Sequence, residues 1–179
     1  MGQACLKLVF SGPVGAGKTT AMQQISEIPP VQTDKAMTIG ETDSKKTTTV
    51  AFDYGEITLF DDCKVLLFGT PGQRYFDYMC HIAARDAAGI ILLLNDTDTD
   101  PATDLDYFIQ LYAEYAKTGA LVIGITHVEN LSIDDPLERY HQWLMEKGLV
   151  LPIFAVDARE RDDVILMIEA LIASLEFNL

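Results

Sequence analysis

Basic residues are scarce in this chain. Lysine and arginine together number 13 against 27 aspartates and glutamates, which leaves a formal net charge of -14 over 179 residues. A surface that acidic repels phosphate backbones, so nonspecific nucleic-acid binding is disfavoured, and any anion must be held at a local site that overcomes the global field. Cysteine is sparse as well. Cys5, Cys63 and Cys80 form an odd, widely spaced set that fits neither a disulfide framework nor a zinc cluster. A reducing cytoplasm is the compartment this implies. Long apolar runs are also missing. The longest, Ala87 to Leu94, is far too short to span a bilayer, so no integral membrane segment is expected, and no secretory leader pattern is visible.

Apolar residues themselves are not lacking. They make up 49% of the chain, enough for one substantial core, and the length suits a single domain over residues 1–179. Short apolar runs at Leu6–Phe10, Ile90–Leu94, Leu121–Ile125 and Leu151–Val156 have the look of strands buried on both faces. Thr49–Leu59 and Cys63–Phe68 flank Phe60-Asp61-Asp62 as a hairpin would. A polar stretch from Val31 to Lys46 lacks periodicity and is expected to be a loop. Between the runs lie helical patterns. Lys18–Ile28 stops at Pro29-Pro30, and Leu105, Phe108, Ile109, Tyr112 and Tyr115 share one helical face. A further helix is expected from Pro136, after Asp134 and Asp135, to Gly148. Val164, Ile165, Ile168, Leu171, Ile172 and Leu175 stripe the last helix. The alternation predicts an α/β fold in three layers, with a mostly parallel six-stranded sheet containing one antiparallel strand.

The strongest local signal is GPVGAGKTT, which fits G-x-x-x-x-G-K-[ST] as Gly12, Gly17, Lys18 and Thr19. A strand precedes it and a helix follows. In such a loop, backbone N–H groups close around phosphate oxygens and the helix N-terminus adds a favourable field. The expected nucleotide-contacting set is Gly12, Pro13, Val14, Gly15, Ala16, Gly17, Lys18, Thr19 and Thr20. Lys18 is expected to reach the β- and γ-phosphates, and the Thr19 hydroxyl to bind Mg2+.

The phosphate loop, a threonine-bearing segment, a hairpin and then Thr70-Pro71-Gly72-Gln73 together resemble the Ras-like small GTPase superfamily. Bacterial gliding-motility and conservon-type GTPases, which also carry a TPGQ-like turn, are the nearest likeness. The resemblance implies a Ras-like P-loop NTPase fold, GTP and GDP as ligands, a magnesium cofactor, and regulatory or effector proteins meeting two switch loops. It gives Thr49 the role of the switch threonine that senses magnesium and γ-phosphate, with Thr47 and Thr48 close rivals. It gives Gly72 a backbone contact to the γ-phosphate and Gln73 the orientation of the attacking water. Val14 stands where many small GTPases carry glycine, and by the resemblance its side chain crowds Gln73 and any inserted arginine.

Two departures stand out. Most of the superfamily has an aspartate where this chain has Gly69, and that acid touches magnesium through water. Magnesium keeps several waters and needs few protein ligands, so Thr19 and Thr49 can suffice, and glycine frees the backbone before Pro71. Asp53 or Asp96 offers a substitute carboxylate, but a solvated acid is the reading the sequence favours for both. At the base-reading end, N-K-x-D is matched only by Thr126-His127-Val128-Glu129. The resemblance gives Glu129 the guanine N1–H and N2–H₂ donors, Thr126 a loop-tying role and His127 a place over the base. Asp157-Ala158-Arg159 resembles S-A-K, so the Ala158 N–H would face guanine O6 and Arg159 the base plane. The function implied is a GTP-binding switch that hydrolyses GTP slowly. The alternatives are a degenerate nucleotide-binding scaffold without turnover and an ATP-dependent small-molecule kinase, which the lack of an arginine-rich lid disfavours.

Overall fold

The computed structural model describes residues 6–29, 31–38, 47–59, 63–73, 76–128 and 137–177, with backbone alone for 31–38, 47–51 and 177. Seven strands alternate with six helices in the described residues. In chain order they are β1 (Leu6–Ser11), α1 (Lys18–Ile25), β2 (Val31–Thr38), β3 (Thr47–Leu59), β4 (Cys63–Gly69), α2 (Asp77–Ala84), β5 (Gly89–Asn95), α3 (Pro101–Leu111), α4 (Ala113–Lys117), β6 (Leu121–Thr126), α5 (Glu138–Glu146), β7 (Ile153–Ala155) and α6 (Arg161–Phe177). The strands form one sheet in the order β2-β3-β4-β1-β5-β6-β7. β4, β1, β5, β6 and β7 pair in parallel, while β3 is antiparallel to both β4 and β2. β3 is therefore the one strand that runs against the rest.

The six expected strands are present, and β2 adds a seventh at the edge. Residues 31–38 pair with β3 from Val31↔Tyr54 to Thr38↔Thr47 and are not the loop expected over Val31–Lys46. A polar edge strand can be held by backbone pairing alone, which leaves no apolar period in its sequence. Residues 39–46, the Phe60-Asp61-Asp62 turn and the helix start at Asp134, Asp135 and Pro136 lie outside the described residues. The expected long helix through Tyr115 is divided at Tyr112 (φ -110°, ψ 33°) into α3 and α4. The start of α3 is built as its sequence suggests: Asp100 caps it by accepting from the Thr103 N–H at 3.1 Å, and Pro101 follows, where its missing N–H costs nothing.

Strand periodicity sorts the core into two faces. On β5, Ile91 and Leu93 join Leu8, Phe10, Met22, Ile25, Val164 and Leu171 beneath α1 and α6. Ile90, Leu92 and Leu94 of the same strand join Leu105, Phe108, Tyr112, Tyr140 and Leu144 beneath α3 and α5. Each such Leu or Ile stabilises the fold by about 1.5–3 kcal/mol relative to leaving it in water. Since β5 is buried on both faces, it carries apolar residues without alternation. No helix among the described residues is long and apolar enough to cross a membrane. The parallel strands all point their carboxyl ends at one edge, and the loops after β1, β4, β6 and β7 gather there.

Candidate functional site

The loop from Gly12 to Gly17 leaves β1 at the centre of the sheet. Gly12 adopts φ +136°, and a Cβ there would lie 1.9 Å from the Leu93 carbonyl oxygen, so no other residue fits. Gly17, at φ +89°, caps α1, and no side chain bonds the helix start. Its first N–H groups are thus left for water or a ligand. Lys18 turns back into the loop. Its Nζ donates to Gly12 O at 2.8 Å and to Pro13 O at 2.6 Å, and the residue is 8% exposed. Burial, opposed by the nearby Cys80 and Asp53, pushes its ammonium down to about 8. Thr19 is exposed at the loop mouth, where its Oγ1 donates to Asp53 Oδ2 at 2.5 Å.

The segment after β4 lies against this loop. Thr70 donates its N–H to Phe10 O at 2.9 Å and its hydroxyl to Ser11 Oγ at 3.0 Å, and Tyr112 donates to the same Ser11 Oγ at 2.8 Å. All three residues are buried, so the end of β1, the start of the TPGQ turn and α3 share one polar knot. Cys80 borders it, and burial pushes its thiol up. Gly72 approaches so closely that a Cβ would meet Val14 N at 2.5 Å and Pro13 C at 2.6 Å. Val14 is 63% exposed, so its side chain does not pack into the protein as a spacer. Gln73 is exposed as well. The aromatic run that follows divides: Tyr78 points outward, Met79 is buried, Phe76 is intermediate, and Tyr75 lies outside the described residues.

Thr49 is not brought to this corner. It sits in β3 opposite Ala36, four residues before Asp53. At a strand rise of about 3.3 Å per residue, that is about 13 Å along the strand. The residue standing at Thr19 is Asp53, which overturns the expectation that it is a solvated acid. Asp96 does not point here: it pairs with Arg139 and accepts from the Tyr140 hydroxyl at 2.7 Å. Among the described residues there is no group of three or more His, Cys, Asp or Glu side chains able to cage a metal. The hard oxygens of Thr19 and Asp53 still suit magnesium, which takes few protein ligands beside phosphates and water.

On the other side of the loop a cavity of about 780 Å³ opens, lined among others by Gly15, Lys18, Thr20, His127, Ala158 and Arg159. Thr126, at 1% exposure, sends its hydroxyl toward Leu94 O (3.0 Å) and Ala16 O (3.3 Å), tying β5 and the loop to β6. Those carbonyls take the hydroxyl proton, so the His127 Nδ1 lying 3.0 Å from Thr126 Oγ1 is assigned as the donor. His127 holds φ +59°, a left-handed conformation uncommon outside glycine. Glu129 lies outside the described residues. Ala158 abuts Gly17, where a Cβ would come within 2.8 Å of its own. Among the described residues no protein acceptor takes the Ala158 N–H. Arg159 grips Asp157 with both its Nε and a terminal nitrogen, and this holds the Asp157 carboxyl down to about 2. Ser11 and Tyr112 carry no sequence motif, because hydroxyls beside or within apolar runs show no pattern of their own.

No family model matches the chain. An uncharacterized protein of Methanocaldococcus jannaschii is 36% identical over 90 residues, 50% of this chain. The chain spans about half the length of that curated relative, the match covering 51% of it. Among solved structures, the G domain of the T. maritima FeoB iron transporter aligns over 98% of this chain and 99% of its own, with a TM-score of 0.59 and 14% identity. The fold is therefore that of a G domain, with the mostly parallel α/β arrangement expected from the strand and helix pattern.

Proposed function

We propose that this chain is a GTP-binding switch that hydrolyses GTP to GDP and phosphate slowly. The observation that carries the reading is the loop Gly12–Gly17. It ends in a helix start that no side chain caps, folds Lys18 back across its mouth, and opens on a cavity edged by the Ala158 N–H, which no protein acceptor among the described residues takes. In this reading the N–H groups from Val14 to Thr20 and the Lys18 ammonium hold the phosphates. Guanine O6 accepts from Ala158, His127 and Arg159 flank the base, and Glu129 selects its N1 and N2 donors. Adenine offers an amino group where O6 would be, so the same N–H disfavours it. Gly72 senses the γ-phosphate through its backbone and Gln73 orients water. Thr19 holds magnesium, and Thr49 joins it only if β3 shifts from its present pairing. When bound, the ion neutralises charge on the phosphate oxygens. Effector or regulatory proteins would meet the turn at Thr70–Gln73 and the exposed Tyr78. A cytoplasmic home belongs to the same proposal, and Cys63 and Cys80, neither joined in a disulfide, support it. The likeness to gliding-motility and conservon-type proteins rests on the TPGQ turn.

The test is a competition titration of GTP, GDP, ATP and ADP, with and without magnesium, on the wild type and Lys18→Ala. Preference for guanine nucleotides, lost in the variant, is expected. Equal ATP binding would refute the base assignment, and an unaffected variant the phosphate assignment. A scaffold without turnover is the second reading. It is favoured by the close seat of Gly72 on Pro13–Val14, and single-turnover phosphate release separates the two. A kinase is disfavoured because Arg139, Arg159 and Arg161 are held by Asp96, Asp157 and the Gln24 carbonyl.

A further inference from the structure

The register between β3 and β4 sets Asp53 directly opposite Gly69. Opposed residues of an antiparallel pair send their side chains to the same face, with Cβ atoms about 4.5–5.5 Å apart. Gly69 contributes nothing to that face. A Cβ built on it would lie 3.0 Å from Asp53 Cβ, 3.4 Å from Asp53 Oδ2 and 2.9 Å from Met22 Sδ. The space a side chain at 69 would fill is occupied by the Asp53 carboxylate. Its Oδ2 accepts from Thr19 Oγ1 at 2.5 Å, and its charge opposes the fall in the Lys18 ammonium. The glycine is thus a clearance for a neighbour's acid, and not only a source of backbone freedom before Pro71.

We propose that Asp53 supplies the carboxylate of the magnesium site, delivered from β3 across the strand pair to the Thr19 hydroxyl. The inference rests on the reading that this loop binds a nucleoside phosphate with magnesium. Hydroxyl and carboxylate are hard oxygen donors of the kind magnesium selects, and without metal they satisfy each other. Asp96, the other acid in reach by sequence, is committed to Arg139 and Tyr140. Two consequences follow. Retention of the ion depends on the β3–β4 register, because a one-residue slip turns Asp53 to the opposite face. The turn at Thr70–Gln73 carries no metal-facing acid, so its movements leave this carboxylate in place.

The experiment uses Mn2+ as a paramagnetic probe of the GDP-loaded full chain, titrated by electron paramagnetic resonance. Asp53→Asn keeps shape and removes charge. It is expected to weaken Mn2+ binding by about 10–100-fold, the range for losing a residue that holds or orients a metal's ligands. GDP affinity in EDTA is expected to stay within about twofold of wild type, which also reports an intact fold. Mn2+ held as tightly by Asp53→Asn as by wild type, with GDP bound to both, overturns the Asp53 assignment and leaves the nucleotide reading standing. A wild type that takes no GDP in excess magnesium overturns the nucleotide reading, and the Asp53 assignment falls with it.

Discussion

Lys18 carries one proton that ought to be visible twice. Burial holds its ammonium at about 8 in the folded chain, against 10.5 in free lysine. At pH 7 the native group is about 90% charged and at pH 9 about 10%, while the unfolded chain keeps the proton throughout. The unfolded state binds more protons across this window, so stability rises with pH, by about 1.4 kcal/mol from this group between pH 7 and 9. The gain continues toward pH 10.5 and is absent below pH 7. At 8% exposure, solvent screening takes little of it. Lys18→Met abolishes the term, so the wild-type minus variant difference in urea unfolding should climb by that amount over the two pH units. A phosphate ligand that demands the charged form must supply the missing proton. GDP affinity should therefore fall about tenfold over the same span. Lys18→Arg, whose guanidinium stays charged, corrects for titration of the ligand itself. Parallel stability profiles for wild type and Lys18→Met would refute the burial argument. A GDP affinity that tracks Lys18→Arg at every pH would refute the link to phosphate.

Three further outcomes follow from packing and hydrogen bonding. Gly72→Ala drives a methyl into the Pro13–Val14 backbone, which cannot yield as a side chain would; a loss of about 1–3 kcal/mol in chemical denaturation is expected. Thr126→Val strips the donor from the Leu94 and Ala16 carbonyls, costing about 1–3 kcal/mol in thermal or urea unfolding. Gly69→Asp alone sets a second carboxylate and a Cβ against Asp53 and Met22, so the variant should melt below wild type and the difference should shrink with added salt.

The legible parts of this molecule were those that a local pattern encodes. The apolar runs gave β1, β5, β6 and β7, because strands buried on both faces need no alternation. GPVGAGKTT gave the loop, because Gly12 has no room for a side chain. What escaped depended on partners distant in sequence. β2 is polar and exists through its pairing with β3. Asp53 resembles any hairpin acid until the register sets it opposite a glycine 16 positions on (53 to 69). Family likeness sets Thr49 beside Thr19, whereas strand geometry sets it about 13 Å further along. The Ser11–Thr70–Tyr112 knot joins residues up to 101 positions apart, beyond any windowed reading.

The contact between Gly17 and Ala158 bears on redesign. The residue that caps α1 and the one midway along the loop from β7 to α6 have no slack between them. A graft that replaces residues 157–159 to retarget ligand choice cannot be treated as a modular swap. Anything bulkier than alanine at 158 would lever Gly17 out of its left-handed turn and unseat the helix start two residues from Thr19. Libraries that diversify this loop should keep 158 small and vary its neighbours, or diversify 17 and 158 together and accept that most combinations will fail at the first turn of α1.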